Sequence, residues 1–207
     1  DILGLLSSQL LNIEALVTPV SCNTAIEKSA DFKQVKRTKI GSPYVIAEFA
    51  ELAEQYTSVA GFEANGGYLL GSDVLFNGKL LKALPTRDAL LPALILLAQP
   101  EYVSELLAKL PQRFTASDRI KDFAREKSLQ IIAALQQNAQ CFLSELGYDE
   151  SYELDLTDGL RISLVSGDVV HLRPSGNAPE LRCYAEAEST EKAIELVNKA
   201  LVLVQVS

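Results

Sequence analysis

The 207 residues hold 48% hydrophobic and 22% charged side chains, a balance that builds a packed core and excludes a disordered chain. The length suffices for one large domain or two of about 100 residues each. A formal net charge of −8 excludes a general nucleic-acid or anionic-membrane surface, because those partners need a cationic face.

The longest apolar run, Ala89 to Ala98, is ten residues and contains Pro92, well short of the roughly 20 residues of a membrane-spanning helix. The opening DILGLLSSQLL has no basic flank and no small-residue cleavage site, so it is not read as a secretory signal. No methionine occurs anywhere, and the chain reads as a piece of something longer. Cys22, Cys141 and Cys183 are odd in number and far apart, which argues against a disulfide framework or a zinc site and for a reducing, cytoplasmic compartment.

In chain order, the branched apolar residues of Ile13 to Val20 predict a buried strand ending at Pro19, Val35 to Ile40 a second, and a short helix between them. From Pro43, the spacing of Val45, Phe49, Leu52 and Tyr56 predicts one amphipathic helix. VAGFEANGGYLLGSD reads as strand, loop and strand, the loop carrying Glu63 and Asn65 among glycines. Thr86 or Asp88 can cap a helix through Ala98, and Pro100 can open another through Leu110. Strands alternating with helices predict an α/β first domain with a mixed sheet.

The helical pattern stops over PQRFTASD, Pro111 to Asp118, which places the boundary between domains 1–112 and 113–207. Beyond it, Leu129, Ile132 and Leu135, with Ile131 beside them, predict a helix over Arg125 to Gln137, and a second runs to Leu146 before Gly147. Hairpin signals at Asp158-Gly159 and Gly167-Asp168 separate strands at Tyr152 to Leu156, Leu160 to Val165 and Val169 to Arg173. Leu181 to Glu186 adds another strand. Thr190 caps a closing helix through Val204, whose apolar face is Ile194, Val197, Leu201 and Val204. The second domain is therefore α+β, an antiparallel sheet packed on helices.

Between its last two strands lies RPSGNAPELR, Arg173 to Arg182. Because side chains alternate along a strand, Leu181, Cys183 and Ala185 face one way, with Cys183 in the core, while Arg182, Tyr184 and Glu186 face the other. Val170 and Leu172 likewise oppose His171 and Arg173. If the apolar faces share one helical layer, Arg173 and Arg182 flank the mouth of the loop, and their planar forks suit a phosphate. Ser175 and Asn177 can add neutral donors, and Gly176 permits a concave backbone. The plain alternative is a stiff connection with two surface arginines. His171, the single histidine, reads as an exposed strand residue rather than an acid or base.

DGLRISLVSGDVVHLRPSGNAPELRCYAEA closely resembles the C-terminal phosphate-binding domain of the α-D-phosphohexomutases, particularly the bacterial phosphomannomutase/phosphoglucomutase enzymes. GFEANGG resembles that family's sugar-binding loop, and RTKIGSPYV its T-K-x-G segment. Three motifs in order over nearly all of the chain make the match specific. The resemblance implies the third and fourth of four domains, the last with a fold like that of the TATA-box-binding protein.

The resemblance further implies phosphate holding by Arg173, Ser175, Gly176, Asn177 and Arg182, sugar recognition by Glu63, Asn65 and Gly66, and an active-site cation at Lys39. Asn65 and Gly67 stand where many relatives have serine and histidine. The catalytic phosphoserine, the aspartates that hold Mg2+ and the use of a hexose bisphosphate activator are expected of the N-terminal domains that would complete the enzyme. This region is thus expected to hold no catalytic residue, metal or cofactor, to be inactive alone, and to bind mannose or glucose phosphates, not nucleic acid or membrane. The alternatives are a stand-alone, non-catalytic sugar-phosphate binding module, or a phosphoglucosamine or phosphoacetylglucosamine mutase.

Overall fold

The computed structural model describes residues 1–206. The chain divides into two compact units, one spanning Asp1–Pro111 and one starting at Gln112.

The first unit runs α1 (Ile2–Leu10), β1 (Ala15–Pro19), α2 (Ala25–Lys28), β2 (Gln34–Thr38), α3 (Ser42–Ala47), α4 (Phe49–Ala53), β3 (Val59–Phe62), β4 (Tyr68–Leu70), β5 (Val74–Phe76), β6 (Lys79–Leu81), β7 (Leu84–Asp88), α5 (Leu90–Leu97) and α6 (Val103–Ala108). Its main sheet has the order β2-β1-β3-β4-β7. β2, β1 and β3 are parallel, and β4 and β7 continue the sheet antiparallel. Alternation sends Ala15 and Val17 to one face, against Val45, Phe49 and Leu52 of α3 and α4. Leu16 and Phe62 go to the other face, against Leu5, Ile26, Ile95 and Leu96. Both faces are thus covered, as the continuous apolar character of β1 and β3 requires.

The single helix expected from Pro43 is two helices that meet at Glu48, whose carboxylate lies 2.6 Å from Lys36 Nζ on β2. Asp88, rather than Thr86, starts α5: its Oδ1 accepts from the N–H groups of Leu90 and Leu91 at 2.8 and 3.1 Å.

The second unit runs β8 (Phe114–Ile120), α7 (Arg125–Gln137), α8 (Ala139–Leu146), β9 (Tyr152–Asp155), β10 (Leu160–Leu164), β11 (Val169–Pro174), β12 (Leu181–Ala187) and α9 (Thr190–Val206). Its sheet, β8-β12-β11-β10-β9, is antiparallel throughout. Val170, Leu172, Leu181, Cys183 and Ala185 pack with Ile131, Ile132, Phe142, Leu143, Leu196 and Val197 of the helices. Burying each large side chain here contributes roughly 1.5–3 kcal/mol.

Two helix faces differ from expectation. Leu129 and Ile194 are 47% and 49% exposed, while the expected Ile132, Val197, Leu201 and Val204 are buried, together with Ile131 on α7 and Ala193, Leu196 and Ala200 on α9. Ser189, not Thr190, caps α9, its Oγ accepting from Lys192 N–H at 3.2 Å. Close to the start of the unit, Arg113 is tied down by Glu186 at 2.8 Å and by the Gly167 carbonyl, with Asp168 3.6 Å away. Among the described residues no helix is long and apolar enough to cross a membrane.

Candidate functional site

In the first unit the parallel register aligns Pro19 with Thr38 and Val17 with Gly61. The loops after β1, β2 and β3 therefore leave the sheet at the same edge. The chain moves from β1 to β2 on one side and to β3 on the other, which makes the carboxyl ends of β1 and β3 the topological switch point of the sheet, the usual ligand position in an open α/β sheet. Glu63 follows β3, and Lys39, exposed, follows β2.

The loop after β3 is closed by its own backbone. Glu63 N–H donates to the Gly67 carbonyl and Gly66 N–H to the Glu63 carbonyl, both at 3.0 Å. Gly66 has φ +89°, a conformation suited to glycine. Asn65 Oδ1 accepts from Gly67 N–H at 3.0 Å, so its amide nitrogen is the end that faces outward. The Glu63 side chain is 6% exposed, and among the described residues its Oε2 has no hydrogen-bond partner. A buried carboxylate oxygen without a donor is costly, and hydroxyl donors from a ligand would satisfy it.

Two residues that the sequence reading passed over shape this edge. Arg37 binds the loop after β1, donating from Nη1 to the Pro19 and Cys22 carbonyls at 3.0 and 2.7 Å and from Nη2 to Asn23 at 3.1 Å. Its fork also meets Glu27 at 2.8 and 2.7 Å. Arg87 of β7 places Nε 3.9 Å from Glu63 Oε2, and its Cδ fills the space beside Gly67, where a Cβ would lie 2.8 Å away. Neither contact has a local signature, because each joins residues well separated along the chain.

In the second unit Arg173 and Arg182 face each other across β11 and β12, on the side of the sheet opposite the helices. Asp158 Oδ2 lies 3.4 Å from Arg173 Nε, and Glu180 Oε2 lies 3.3 Å from Arg182 Nη2. Ser175 N–H donates to the Glu180 carbonyl at 2.8 Å and closes the loop. Ser175 is buried and its Oγ accepts from Asn177 N–H at 3.4 Å. Gly176 and Asn177 form the exposed tip. The loop thus brings all five expected phosphate residues together.

His171 is buried at 1% exposure, not exposed as expected. The turn after β9 folds over it, the Asp158 carbonyl lies 2.6 Å from Nε2, and the Tyr184 ring packs 5.4 Å away. Desolvation pushes its pKa down to about 4.

Residues 1–114 match the family model described as the alpha/beta/alpha domain III of phosphoglucomutase/phosphomannomutase, and residues 110–203 match the model of the C-terminal domain. The chain belongs to the phosphoglucomutase/phosphomannomutase family. It is 53% identical to a phosphomannomutase of Salmonella muenchen over 97% of this chain and 43% of that protein. With a phosphomannomutase of Sinorhizobium fredii it shares 39% identity over 100% of this chain and 45% of that protein. A solved phosphoglucomutase/phosphomannomutase family protein from Burkholderia thailandensis shares the fold, with TM-score 0.58, 18% identity, and 99% and 41% of the two chains covered. The chain thus spans less than half the length of these relatives. The magnesium that the family resemblance implies finds no fitting donor set here, since among the described residues no three His, Cys, Asp or Glu side chains cluster as metal ligands.

Proposed function

We propose that this chain holds the sugar and the non-reacting phosphate for a phosphohexomutase, an intramolecular phosphotransferase that interconverts hexose 6-phosphate and hexose 1-phosphate. The reaction runs through a phosphoserine and a hexose bisphosphate. Because phosphoryl transfer depends mainly on positioning and charge stabilisation, the groups that fix the idle phosphate and the sugar carry a large share of the work. The observation behind this reading is the Arg173–Arg182 pair at the mouth of the Ser175–Glu180 loop.

Arg173 and Arg182 supply planar cationic forks, Ser175 a hydroxyl, and Gly176 and Asn177 backbone N–H groups at the tip. Glu63 accepts from sugar hydroxyls, Asn65 donates through its amide, and Gly66 keeps the backbone close. Lys39 is a cation at the same sheet edge. The named phosphomannomutase relatives favour a mannose phosphate as ligand. The phosphoserine, Mg2+ and the bisphosphate activator belong to domains outside this region, so the chain alone binds without turnover.

Calorimetric titration with mannose 6-phosphate tests this reading. Arg173→Ala and Arg182→Ala should each weaken binding by about tenfold or more, as loss of a charge-assisted bond does, with the fold retained. Wild-type affinity in both variants overturns the phosphate assignment. Turnover by the chain with Mg2+ and glucose 1,6-bisphosphate overturns the division of labour.

A further inference from the structure

The row in which Arg173 faces Arg182 continues one strand further, because Arg182 in turn faces Arg119 on β8. Three arginines therefore stand side by side across β11, β12 and β8, on the face opposite the helices. Like charges directly opposed across strands are destabilising, and nothing in the packing of this sheet requires two such pairs in one row.

Two carboxylates answer them unequally. Asp158 serves Arg173 at 3.4 Å. Glu180 stands between the other two, with Oε1 3.1 Å from Arg119 Nε and Oε2 3.3 Å from Arg182 Nη2. Donors are left over: the buried Nε of Arg182 has no hydrogen-bond partner among the described residues, and the buried Nε of Arg173 has only its 3.4 Å ion-pair contact with Asp158. Beside the row opens a cavity of about 180 Å³ lined by Ser117, Asp118, Arg119, Arg182 and Tyr184.

We propose that Arg119 is a third anion-holding residue of the phosphate site, and that Glu180 is a resident counter-ion which releases Arg119 and Arg182 to an incoming phosphate monoester. The proposal rests on the phosphate-holding role assigned above to the Arg173–Arg182 loop. Glu180 spends one oxygen on each arginine, whereas a phosphate monoester brings about two negative charges and three acceptor oxygens, enough for both forks and the leftover donors. Only the side chain has to move. The Glu180 backbone is fixed by 2.8 Å bonds to Ala178 and Ser175. The Arg119 and Arg182 side chains, 47% and 37% exposed, are open to a ligand from solvent. A carboxylate in this position also keeps the two forks oriented before the ligand arrives, which lowers the cost of ordering them on binding.

The test is binding of inorganic phosphate and of mannose 6-phosphate to the 207-residue chain, for Arg119→Ala, Arg119→Lys, Glu180→Gln and Arg173→Ala. Arg119→Ala should weaken phosphate binding about tenfold, and Arg119→Lys, which keeps the charge but loses the fork, about threefold. Glu180→Gln should tighten binding at least about threefold, since the competing charge is gone. Arg173→Ala separates the two ideas. If it abolishes binding while Arg119→Ala retains wild-type affinity and Glu180→Gln gains none, the counter-ion proposal is wrong and the phosphate loop stands. If Arg173→Ala changes nothing, the phosphate loop itself is wrong. Should Glu180→Gln fail to fold, the two Arg119 variants on the exposed edge strand decide, equal wild-type affinities counting against the proposal.

Discussion

His171 Nε2 lies 2.6 Å from the backbone carbonyl oxygen of Asp158, which ties the middle of the sheet to the turn whose carboxylate faces Arg173. With Nε2–H donating, Nδ1 is left buried and without a hydrogen-bond partner among the described residues. Asp158, Arg161, Arg173 and Tyr184 surround the ring, and a proton on Nδ1 has no acceptor to meet.

Burial, reinforced by Arg161 and Arg173, lowers the folded pKa of His171 to about 4, below the ordinary value of about 6.5. The histidine term is therefore fully present above about pH 6.5 and is lost as pH falls towards 4, because the unfolded chain takes up a proton that the fold refuses. The linkage amounts to about 3 kcal/mol across that window. Denaturant unfolding at pH 7.5 and 4.5 should show a larger loss for the wild type than for His171→Gln. Equal losses would remove this term.

A second prediction follows from Gly159. Its φ is +90°, and a Cβ there would lie 2.3 Å from the Leu172 carbonyl oxygen and 2.7 Å from Arg173 Cβ. Gly159→Ala should cost roughly 3 kcal/mol and weaken phosphate binding in the molecules that remain folded, because Arg173 must shift. Unfolding curves and a phosphate titration on the same sample measure both.

Arg37 offers a chemical readout. Removing its fork strips donors from the Pro19, Cys22 and Asn23 carbonyls, at a cost of about 3 kcal/mol. The Cys22 thiol is buried and its pKa raised to about 11 by desolvation, whereas Cys141 is exposed. A thiol reagent should therefore label Cys141 alone in the native wild type, and Cys22 as well in Arg37→Ala. Protection of Cys22 in the variant would show that the loop does not depend on Arg37.

For the sugar loop, Glu63→Gln should weaken mannose 6-phosphate binding several-fold, the worth of one charged acceptor, while inorganic phosphate binds as before. Equal effects on the two ligands would count against a sugar role. Arg87→Ala should leave inorganic phosphate binding unchanged as well, since Arg87 pairs with Glu63 of the sugar loop.

What the sequence made legible follows from period and locality. Strand alternation, with the apolar faces of both strands set on one helical layer, put Arg173 and Arg182 on one face. The hairpin at Asp158-Gly159 was readable from its turn chemistry. β8 was hidden because FTASDRI is a largely exposed edge strand whose polar residues read as a linker, and its partner Arg182 lies 63 positions beyond Arg119. Arg119 was lost with it, and Arg87 with the equally exposed β7. On α7 and α9 the helical period was clear, but several apolar stripes satisfied it, and only packing selects Ile131 over Leu129 and Leu196 over Ile194. His171 looked exposed because alternation cannot show that the turn after β9 folds back over the sheet.

The phosphate-holding role of Arg173 to Arg182 is tested by backbone amide chemical-shift mapping of the 207-residue chain with inorganic phosphate and then mannose 6-phosphate. Phosphate should move the amides of Arg173 to Arg182 and leave Glu63 to Gly67 in place, and mannose 6-phosphate should move the phosphate loop as well, with the sugar loop responding only to the sugar-bearing ligand. Saturating ligand that leaves Ser175, Gly176 and Asn177 unmoved would show that this loop does not hold the phosphate.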